Sequence, residues 1–367
     1  MMRGDCCCRI NFSGNSLMIK VLLIQNSISS YRVPVYNLIA KEVNLTVMYS
    51  EGKEPSGAIF NFFKVPVKKG HFYYRHTQNI RKIANGYDVV IGMIAFNWIS
   101  NYMLPFGKRK YKFIPWGIGV PASYSVRFDD PSKKINVFLT KLLIKKSDAV
   151  IFYTDYPVDK YAAMGLDKSR MFAAHNTVEV LPLKGNKQKD SILFVGTLYR
   201  AKSSISMLDY YKQAYLMNRN IPKLRLVGNG DEFEDINDWV RKNNMKDNVV
   251  LEGAIYDESV LRDFFESAYA CVSLGQAGLS VQKAMGYAVP FITTANSFTG
   301  GERLDIINNE NGVLLKNESD FTQVVLDIAS KPDVYVNMGI KAKQFYDNNR
   351  TIHQMAEAVI KAINYVI

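Results

Sequence analysis

The sequence of 367 residues has few of the residue types that build disulfides or membrane spans. Of its four cysteines, Cys6, Cys7 and Cys8 stand together near the start and Cys271 stands alone in an apolar segment. Adjacent cysteines are poor partners for a structural disulfide, so this usage predicts a reduced, cytoplasmic protein. No apolar run approaches the roughly 20 residues of a membrane-spanning helix, and residues 1–17 lack the apolar centre of a secretory signal.

Metal-binding and cofactor-binding patterns are also missing. The chain has four histidines and no Asp-x-Asp, His-Glu-x-x-His or paired Cys-x-x-Cys motif. We therefore expect no metal and no cofactor. His71 and His76 fall in the basic, aromatic segment 68–82, which we interpret as an acceptor or membrane loop.

Charge is plentiful but uneven. Residues 1–187 carry 27 Lys and Arg against 12 Asp and Glu, a net charge of +15, whereas residues 188–367 carry 19 against 22, a net charge of −3. The basic half should attract anionic ligands or surfaces. Nucleic acid, anionic lipid and a solvated Lys-rich face all fit the composition, but no recognised nucleic-acid module is present, so we expect no nucleic-acid partner.

Short apolar segments alternate with amphipathic ones along both halves of the chain. This pattern predicts parallel sheets that are covered by helices on both faces. The predicted strands are 20–25, 44–50, 87–93, 112–117, 149–154, 171–176, 191–197, 223–230, 248–254, 269–274, 289–294 and 312–316. The predicted helices include 33–42, 133–148, 156–164, 203–218, 232–244, 257–267, 319–330, 333–348 and 351–366.

A polar linker at 183–190, with Gly and several Lys, divides the pattern in two. We expect an N-terminal Rossmann-like domain over 18–182 and a C-terminal one over 191–345, both doubly wound α/β. Residues 1–17 are expected to be a disordered leader, and 346–367 a C-terminal helix that packs back on the N-terminal domain. Two such domains form a cleft at the carboxyl ends of their strands.

The segment 271–293, CVSLGQAGLSVQKAMGYAVPFIT, indicates a strand, a turn of small residues, a helix and a second strand. A cation such as Lys283 near the start of a helix is unfavourable unless an anion lies in front of the turn. Ala277, Gly278 and Leu279 would let backbone N–H groups approach that anion closely. A tight turn without any ligand fits these residues equally well.

Several loop motifs follow one another in a fixed order. They are NSISSYRVPVYNLIAKEVNLTVMY, WGIG and DAVIFYTDYPVDKYAAMGL in the first half, and ILFVGTLYRAK, LRLVGNGDE, GLSVQKAMGYAVPFIT and GGERLDIINNENGVLL in the second. Over residues 18–345 this succession resembles the GT-B-fold retaining glycosyltransferases of bacterial family 4, the glycosyl transferases group 1. The resemblance implies a nucleotide-diphosphate sugar donor on the second domain and a glycan or polyprenyl-diphosphate-linked acceptor on the first.

The resemblance also implies where the donor diphosphate lies. The family pattern G-R-L-x-x-x-K becomes Gly196, Thr197 and Leu198 followed by Lys202. Lys202 would neutralise the diphosphate as the sugar departs. Arg200 would supply the guanidinium that Thr197 cannot, because its fork suits phosphate oxygens. An exposed helix start without a ligand is the alternative interpretation.

The family's paired glutamates fall at Gly275 and Lys283 in this chain. In the family the first contacts hydroxyls of the donor sugar and the second accepts from the ribose, but Gly275 has no side chain and Lys283 can only donate. We expect Gln276 to inherit part of the sugar recognition, and Glu302 to orient the donor or bind a ribose hydroxyl. A second hypothesis stays open, in which the chain is an inactive relative that binds nucleotide or glycan as an assembly partner.

The acceptor side is assigned to residues that follow strands of the first domain. Ser29, Ser30 and Arg32 follow its first strand, and Arg32 is expected to hold an acceptor phosphate or to complete the cleft. Trp116 matches a Trp-Gly pair of the family's acceptor domain, although a buried Trp is more often part of the core.

The resemblance implies metal-independent, retaining transfer in which the leaving diphosphate takes the acceptor's proton. The predicted process is synthesis of a bacterial surface polysaccharide, such as capsule, O-antigen or exopolysaccharide. A Lys-rich amphipathic helix at 133–146, with Ile135 and Phe138 on its apolar side, and GKRKYK at 107–112 could rest on the anionic inner face of a membrane. An ordinary packed helix with a solvated Lys face is equally consistent with the pattern.

Overall fold

The computed structural model describes residues 18–123, 125–185 and 187–367. The predicted leader, residues 1–17, therefore lies outside the described residues, as do Cys6, Cys7 and Cys8. Within the described ranges, the chain folds into two parallel sheets with helices on both faces.

Seven parallel strands form the sheet of the N-terminal domain. The strands of this domain are β1 Lys20–Ile24, β2 Asn44–Tyr49, β3 Asn61–Lys64, β4 Val67–Lys69, β5 Tyr74–His76, β6 Val89–Met93, β7 Lys112–Gly117, β8 Val150–Phe152 and β9 Met171–Ala173. The sheet order is β3-β2-β1-β6-β7-β8-β9, while β4 and β5 form a separate antiparallel hairpin. The central strands are buried apolar runs, as expected of a sheet covered on both faces.

Six parallel strands form the second sheet. They are β10 Ser191–Val195, β11 Lys223–Val227, β12 Val249–Gly253, β13 Ala268–Val272, β14 Phe291–Thr294 and β15 Gly312–Leu315. The order β12-β11-β10-β13-β14-β15 places the topological switch point between β10 and β13. Ligands of open parallel sheets bind beyond this point, so a ligand site is expected at the loops after β10 and β13.

The described residues contain twelve α-helices. Those of the first half are α1 Val33–Ala40, α2 Ile80–Ala84, α3 Ile99–Tyr102, α4 Lys134–Lys146 and α5 Asp155–Ala163. Those of the second half are α6 Ser204–Met217, α7 Phe233–Lys242, α8 Glu258–Glu266, α9 Ser280–Gly286, α10 Phe321–Ser330, α11 Pro332–Asn349 and α12 Ile352–Val366.

The last helix belongs to the core of the first domain. After α11 the chain crosses back, and the apolar face of α12, including Met355, Val359 and Ile363, is buried against α1 and the first sheet. Thr351 caps α12 by accepting a hydrogen bond from the backbone N–H of Gln354. The chain passes between the domains twice, near Val178 and near Tyr346. These two segments are in contact, as the Tyr346 hydroxyl donates to the Val178 carbonyl at 2.7 Å.

The predicted fold class, two doubly wound α/β domains with a helical C-terminus, is confirmed. The sequence pattern missed β3, the β4–β5 hairpin, α2 and α3, which are three to five residues long and too short to show a period. For α4, the sequence left open whether the apolar side packs against the domain or faces outward. The residues buried there are Thr140, Leu143 and Ile144, whereas Ile135 and Phe138 are 73% and 65% exposed.

Candidate active site

A cleft of about 1130 Å³ lies between the two domains at the carboxyl ends of both sheets. It brings together many of the residues predicted from the sequence. Its C-terminal wall includes Gly196, Thr197, Lys202, Gln276, Gly278, Leu279, Lys283, Thr299 and Glu302, and its N-terminal wall includes Ser30, Tyr31 and Asn176. Within the described ranges, no group of three or more His, Cys, Asp or Glu side chains could hold a metal ion.

Lys202 ends a 3-10 turn, Arg200–Lys202, that follows β10. The residue is 8% exposed, and a Cβ built on Gly196 would lie 3.8 Å from its Nζ. Lys202 forms no salt bridge with any described residue. Burial lowers the pKa of Lys202 to about 8, and the negative charge of Glu302 only partly offsets this effect. An anion in the cleft would offset the effect of burial and raise the pKa of Lys202, because an opposite charge favours the protonated form.

Glu302 is held in a cross-domain chain of hydrogen bonds. Its Oε1 accepts from Asn176 Nδ2 at 2.7 Å, and its Oε2 accepts from the Thr299 hydroxyl and the Gly300 N–H. Asn176 Oδ1 in turn accepts from Arg32 Nη2 at 2.6 Å. Asn176, which follows β9, is a residue that the sequence analysis did not assign to the site. Its position at the end of a strand was the signal available.

Arg32 is buried at 7% exposure and does not line the cleft. Its guanidinium lies 5.1 Å from the ring centroid of Tyr153 and 5.8 Å from that of Trp116, and its Nη1 donates to the sulfur of Met355. The expectation that Arg32 holds an acceptor phosphate is therefore corrected, because the guanidinium is enclosed by aromatic rings and α12. Trp116 is part of the N-terminal core.

Lys283 also differs from expectation. Its ammonium pairs with Glu258 Oε2 at 2.6 Å, while Glu258 Oε1 accepts from the Tyr287 hydroxyl at 2.6 Å. Lys283 and Glu258 both line the cleft, so a carboxylate is present here although position 283 carries none. Sequence reasoning missed Glu258, since its only signal was its place at the start of α8, after β12.

Arg200 and Gly275 face away from the cleft and line a second cavity. This placement corrects the expectation that Arg200 stands beside Lys202 at the donor phosphates. Gly275 is required by close packing, because a Cβ at this position would lie 2.2 Å from the carbonyl oxygen of Ala201. A glutamate side chain at 275 would therefore displace the turn that carries Lys202.

The remaining predicted residues lie at or near the cleft. Ser30 lines it, whereas Ser29 lies beside it and accepts from the Arg32 N–H through its carbonyl. Gln276 is buried in the cleft wall, and its Oε1 accepts from the Tyr199 hydroxyl, so its amide N–H groups remain available as donors. Ala277 is buried in the core and does not line the cleft.

Two Rossmann-like domains around an interdomain cleft define the GT-B class of fold, and solved structures agree. HepE (Alr3699) of Anabaena, in complex with UDP, matches with a TM-score of 0.70 at 10% identity, over 94% of this chain and 100% of that one. The lipopolysaccharide outer core galactosyltransferase WaaB matches with a TM-score of 0.64 at 17% identity, over 95% and 100%. These likenesses show the fold.

A third neighbour is longer than this chain. The G117R mutant of S. aureus TarM, in complex with fondaparinux, alpha-GlcNAc-glycerol and UDP, matches with a TM-score of 0.57 at 17% identity over 75% of this chain. The chain spans only 55% of TarM. No curated protein sequence matches the chain.

Residues 189–331 match the family model of the glycosyl transferases group 1. The chain thus carries a group 1 glycosyltransferase domain, and this domain is the one that contains Lys202, Lys283 and Glu302. The GT-B fold and the resemblance to the glycosyl transferases group 1 are confirmed, and with them the class of enzyme, a glycosyltransferase. The family 4 subtype and the retaining mechanism stay predictions.

Proposed function

We propose that the chain is a retaining glycosyltransferase that moves a sugar from a nucleotide-diphosphate donor to a glycan or polyprenyl-diphosphate-linked acceptor. The process would be synthesis of a bacterial surface polysaccharide such as capsule, lipopolysaccharide O-antigen or exopolysaccharide. The observation that carries the proposal is Lys202, a desolvated ammonium in the cleft wall of the group 1 domain. The UDP bound to HepE and TarM supports a uridine nucleotide as the first ligand to test.

The proposed reaction needs no dedicated protein base. The bond between the anomeric carbon and the diphosphate oxygen breaks, the acceptor oxygen bonds to that carbon on the same face, and the acceptor's proton passes to the leaving diphosphate. The protein then contributes positioning and charge stabilisation. Lys202 is the group placed to stabilise the departing negative charge. Metal independence stays a prediction.

Hydroxyl recognition would come from residues that replace the paired glutamates of the family. The Glu258 carboxylate keeps free lone pairs after bonding to Lys283 and Tyr287, so it can accept from a hydroxyl of the donor. The amide of Gln276 can donate to another. Both side chains line the cleft that also contains Lys202.

A non-catalytic nucleotide-binding or glycan-binding relative is the alternative. The observation that favours it is the turn at Ala201, which occupies the space of any side chain at position 275. Such a protein would bind nucleotide through Lys202 without transferring or hydrolysing an activated sugar.

The first experiment is a thermal-stabilisation screen of the full chain against UDP, GDP, ADP, CMP and their common sugar conjugates. We expect one nucleotide to raise the melting temperature, with the shift lost in Lys202→Ala. Absence of a shift with every nucleotide would overturn the donor-site assignment. A shift with UDP, but no transfer or hydrolysis of any UDP-sugar, would favour the non-catalytic alternative.

We also propose that the N-terminal domain rests on an anionic membrane surface at the cytoplasmic face. Ile135 and Phe138 project from the Lys-rich helix α4, and Phe72, at the tip of the basic β4–β5 hairpin, is 83% exposed. Exposed apolar side chains among cations suit the headgroup region of anionic lipids. No described helix is both long and apolar enough to span a bilayer.

Vesicle flotation tests this surface. We expect binding to vesicles that contain phosphatidylglycerol and none to pure phosphatidylcholine vesicles. Ile135→Ser with Phe138→Ser should abolish binding, whereas Leu216→Ser with Met217→Ser, a matched exposed apolar pair on α6, should not. Equal binding by both double variants would contradict the assignment.

A further inference from the structure

Tyr256 is the most exposed large apolar side chain among the described residues, at 91%, and it lines the interdomain cleft. It lies between β12 and α8. The next residue, Asp257, caps α8 by accepting from the Ser259 N–H at 2.8 Å, which fixes the backbone beside Tyr256. Single exposed apolar side chains are common on protein surfaces, so the position of this ring in the cleft, and not its exposure, needs an explanation.

The C-terminal wall of the cleft changes in character along its length. At one end lies the ammonium of Lys202, whose backbone carbonyl accepts from the Gly275 N–H at 3.2 Å. From Gly275 the chain follows the wall, because most of residues 276–283 line the cleft. About one turn into α9 it reaches Lys283, which pairs with Glu258. The wall therefore leads from a lone cation to an ion pair.

Apolar side chains line the cleft next to this ion pair. The Tyr287 hydroxyl donates to Glu258 and accepts from the Leu181 N–H at 3.1 Å, which places the interdomain linker beside the pair. The apolar lining residues near Glu258 are Val180, Leu181, Ile255 and Leu261. Glu179, the remaining charged residue of the described lining, is exposed. Tyr256 thus adds an aromatic ring to the apolar end of the wall.

We propose that Tyr256 stacks on the nucleobase of the donor. The inference rests on the proposed donor site and deepens it. A nucleoside diphosphate carries its diphosphate, ribose and base in one line, and the wall offers Lys202, the Lys283–Glu258 pair and the apolar end in the same order. Small-molecule sites combine apolar walls with a few polar groups in this way.

The stacking contact would decide the class of donor. Every nucleobase has a π face, so an aromatic ring contributes affinity for a nucleotide without selecting one base. A sugar phosphate or a polyprenyl-linked sugar has no such face to present. Tyr256 would therefore favour nucleotide-activated donors over donors of these two classes, while polar groups select the base.

The test is calorimetric titration of the full chain with UDP, CDP, ADP and GDP, and with pyrophosphate as the matched ligand that lacks a base. In Tyr256→Ala we expect the affinity for the bound nucleotide to fall about tenfold, because the ring is lost, and the affinity for pyrophosphate to stay unchanged. Tyr256→Phe keeps the ring and should bind the nucleotide within about twofold of the unmodified chain.

Two controls separate the contact from effects on folding. The ring is exposed, so Tyr256→Ala should melt at the temperature of the unmodified chain. Tyr365→Ala removes another exposed tyrosine, which lies outside the cleft lining, and it should leave nucleotide affinity unchanged.

Unchanged nucleotide affinity in Tyr256→Ala would overturn the inference and leave the donor site in place. An equal loss for nucleotide and pyrophosphate, or a loss in Tyr256→Phe as large as that in Tyr256→Ala, would also overturn it, because neither depends on ring stacking. Binding of pyrophosphate that requires Lys202, without tighter binding of any nucleotide, would keep the phosphate site and exclude a base contact. Absence of binding by all five ligands would overturn the proposed donor site and this inference together.

Discussion

Arg32 and Lys202 are two buried cations on opposite sides of the interdomain cleft, and they differ in what surrounds them. Arg32, from the N-terminal domain, is enclosed by aromatic rings and donates to Asn176 and to the sulfur of Met355. Lys202, from the C-terminal domain, lines the open cleft and has no salt-bridge partner in the described part of the chain.

The difference shows that burial of a charge does not by itself indicate a ligand site. The partners of Arg32 are supplied by the fold, so its charge contributes to the packing of the first domain and α12. Lys202 has no salt-bridge partner among the described residues, and its pKa falls to about 8 because burial disfavours the charged form. Arg32 should therefore matter for the stability of the fold, and Lys202 for anion binding.

The largest expected effect is that of Arg32→Ala on stability. The change removes the cation from its aromatic surroundings and leaves a cavity, so we expect the free energy of unfolding to fall by about 3 kcal/mol. Urea unfolding measures the loss, and UDP affinity at low temperature should change little. A stable Arg32→Ala variant without UDP binding would reverse the roles of the two cations.

Lys202→Ala should have the opposite effects, weakening UDP binding without lowering stability. Loss of a charge-assisted contact to the diphosphate weakens UDP binding by about 30-fold, since such contacts contribute roughly 1.5–3 kcal/mol. Stability should not fall, because a desolvated charge is removed. Lys202→Met, which keeps the length of the side chain without its charge, should lose binding equally. UDP affinity that is unchanged in Lys202→Met would show that packing, and not charge, is what position 202 provides.

Gly275 and Gly278 of the second domain differ in how closely other atoms pack around them. Gly275→Ala forces the Ala201 carbonyl to move, because the added Cβ would lie 2.2 Å from it, and we expect a stability loss of about 1–3 kcal/mol together with weaker UDP binding. Gly278 has no neighbouring atom within 4 Å of an added Cβ, so Gly278→Ala should fold normally. Thermal unfolding of the two variants distinguishes them, and equal destabilisation would contradict the assignment.

The pKa of Lys202 predicts how UDP affinity depends on pH. A bound diphosphate raises this pKa, so binding above about pH 8 takes up a proton. Affinity should be steady below that value and fall up to about tenfold per pH unit above it, as 1.36 kcal/mol per unit requires. Calorimetry between about pH 7 and about pH 9 measures the slope, which should be absent in Lys202→Met.

The smallest effect is expected from the Lys283–Glu258 pair. Glu258→Gln keeps the shape of the side chain but weakens its bonds to Lys283 and to a donor hydroxyl, so we expect UDP affinity to fall about threefold. The preference for UDP over 2′-deoxy-UDP or 3′-deoxy-UDP should shrink in the same variant if the carboxylate accepts from the ribose. An unchanged preference for both analogues would remove Glu258 from hydroxyl recognition.

The periodicity of the sequence was enough to predict both domains and most of their strands. Continuous apolar runs such as β1 and β10 can be buried only in a sheet covered on both faces. It left α4 undecided, because Ile135 and Phe138 continue the apolar pattern and yet lie on the exposed side. Periodicity shows that a helix has apolar residues, and it cannot show which of them the neighbouring elements cover.

The candidate site likewise contains residues that were predicted from the sequence and residues that were not. Lys202, Gln276 and Glu302 were predicted from the resemblance to the family, whose motifs lie in loops that follow strands of the second domain. Asn176 and Glu258 were missed, because their roles come from contacts 126 and 25 residues away in sequence, with Glu302 and Lys283.

The sequence alone determined the two doubly wound α/β domains, because their strands and helices depend on local periodicity. Only the tertiary structure decided that Arg200 turns away from the cleft while Lys202 faces it, that Arg32 is enclosed by rings, and that Lys283 pairs with Glu258. Each of these outcomes depends on which side chains and backbone atoms of distant segments fill the space nearby, and no local pattern encodes that.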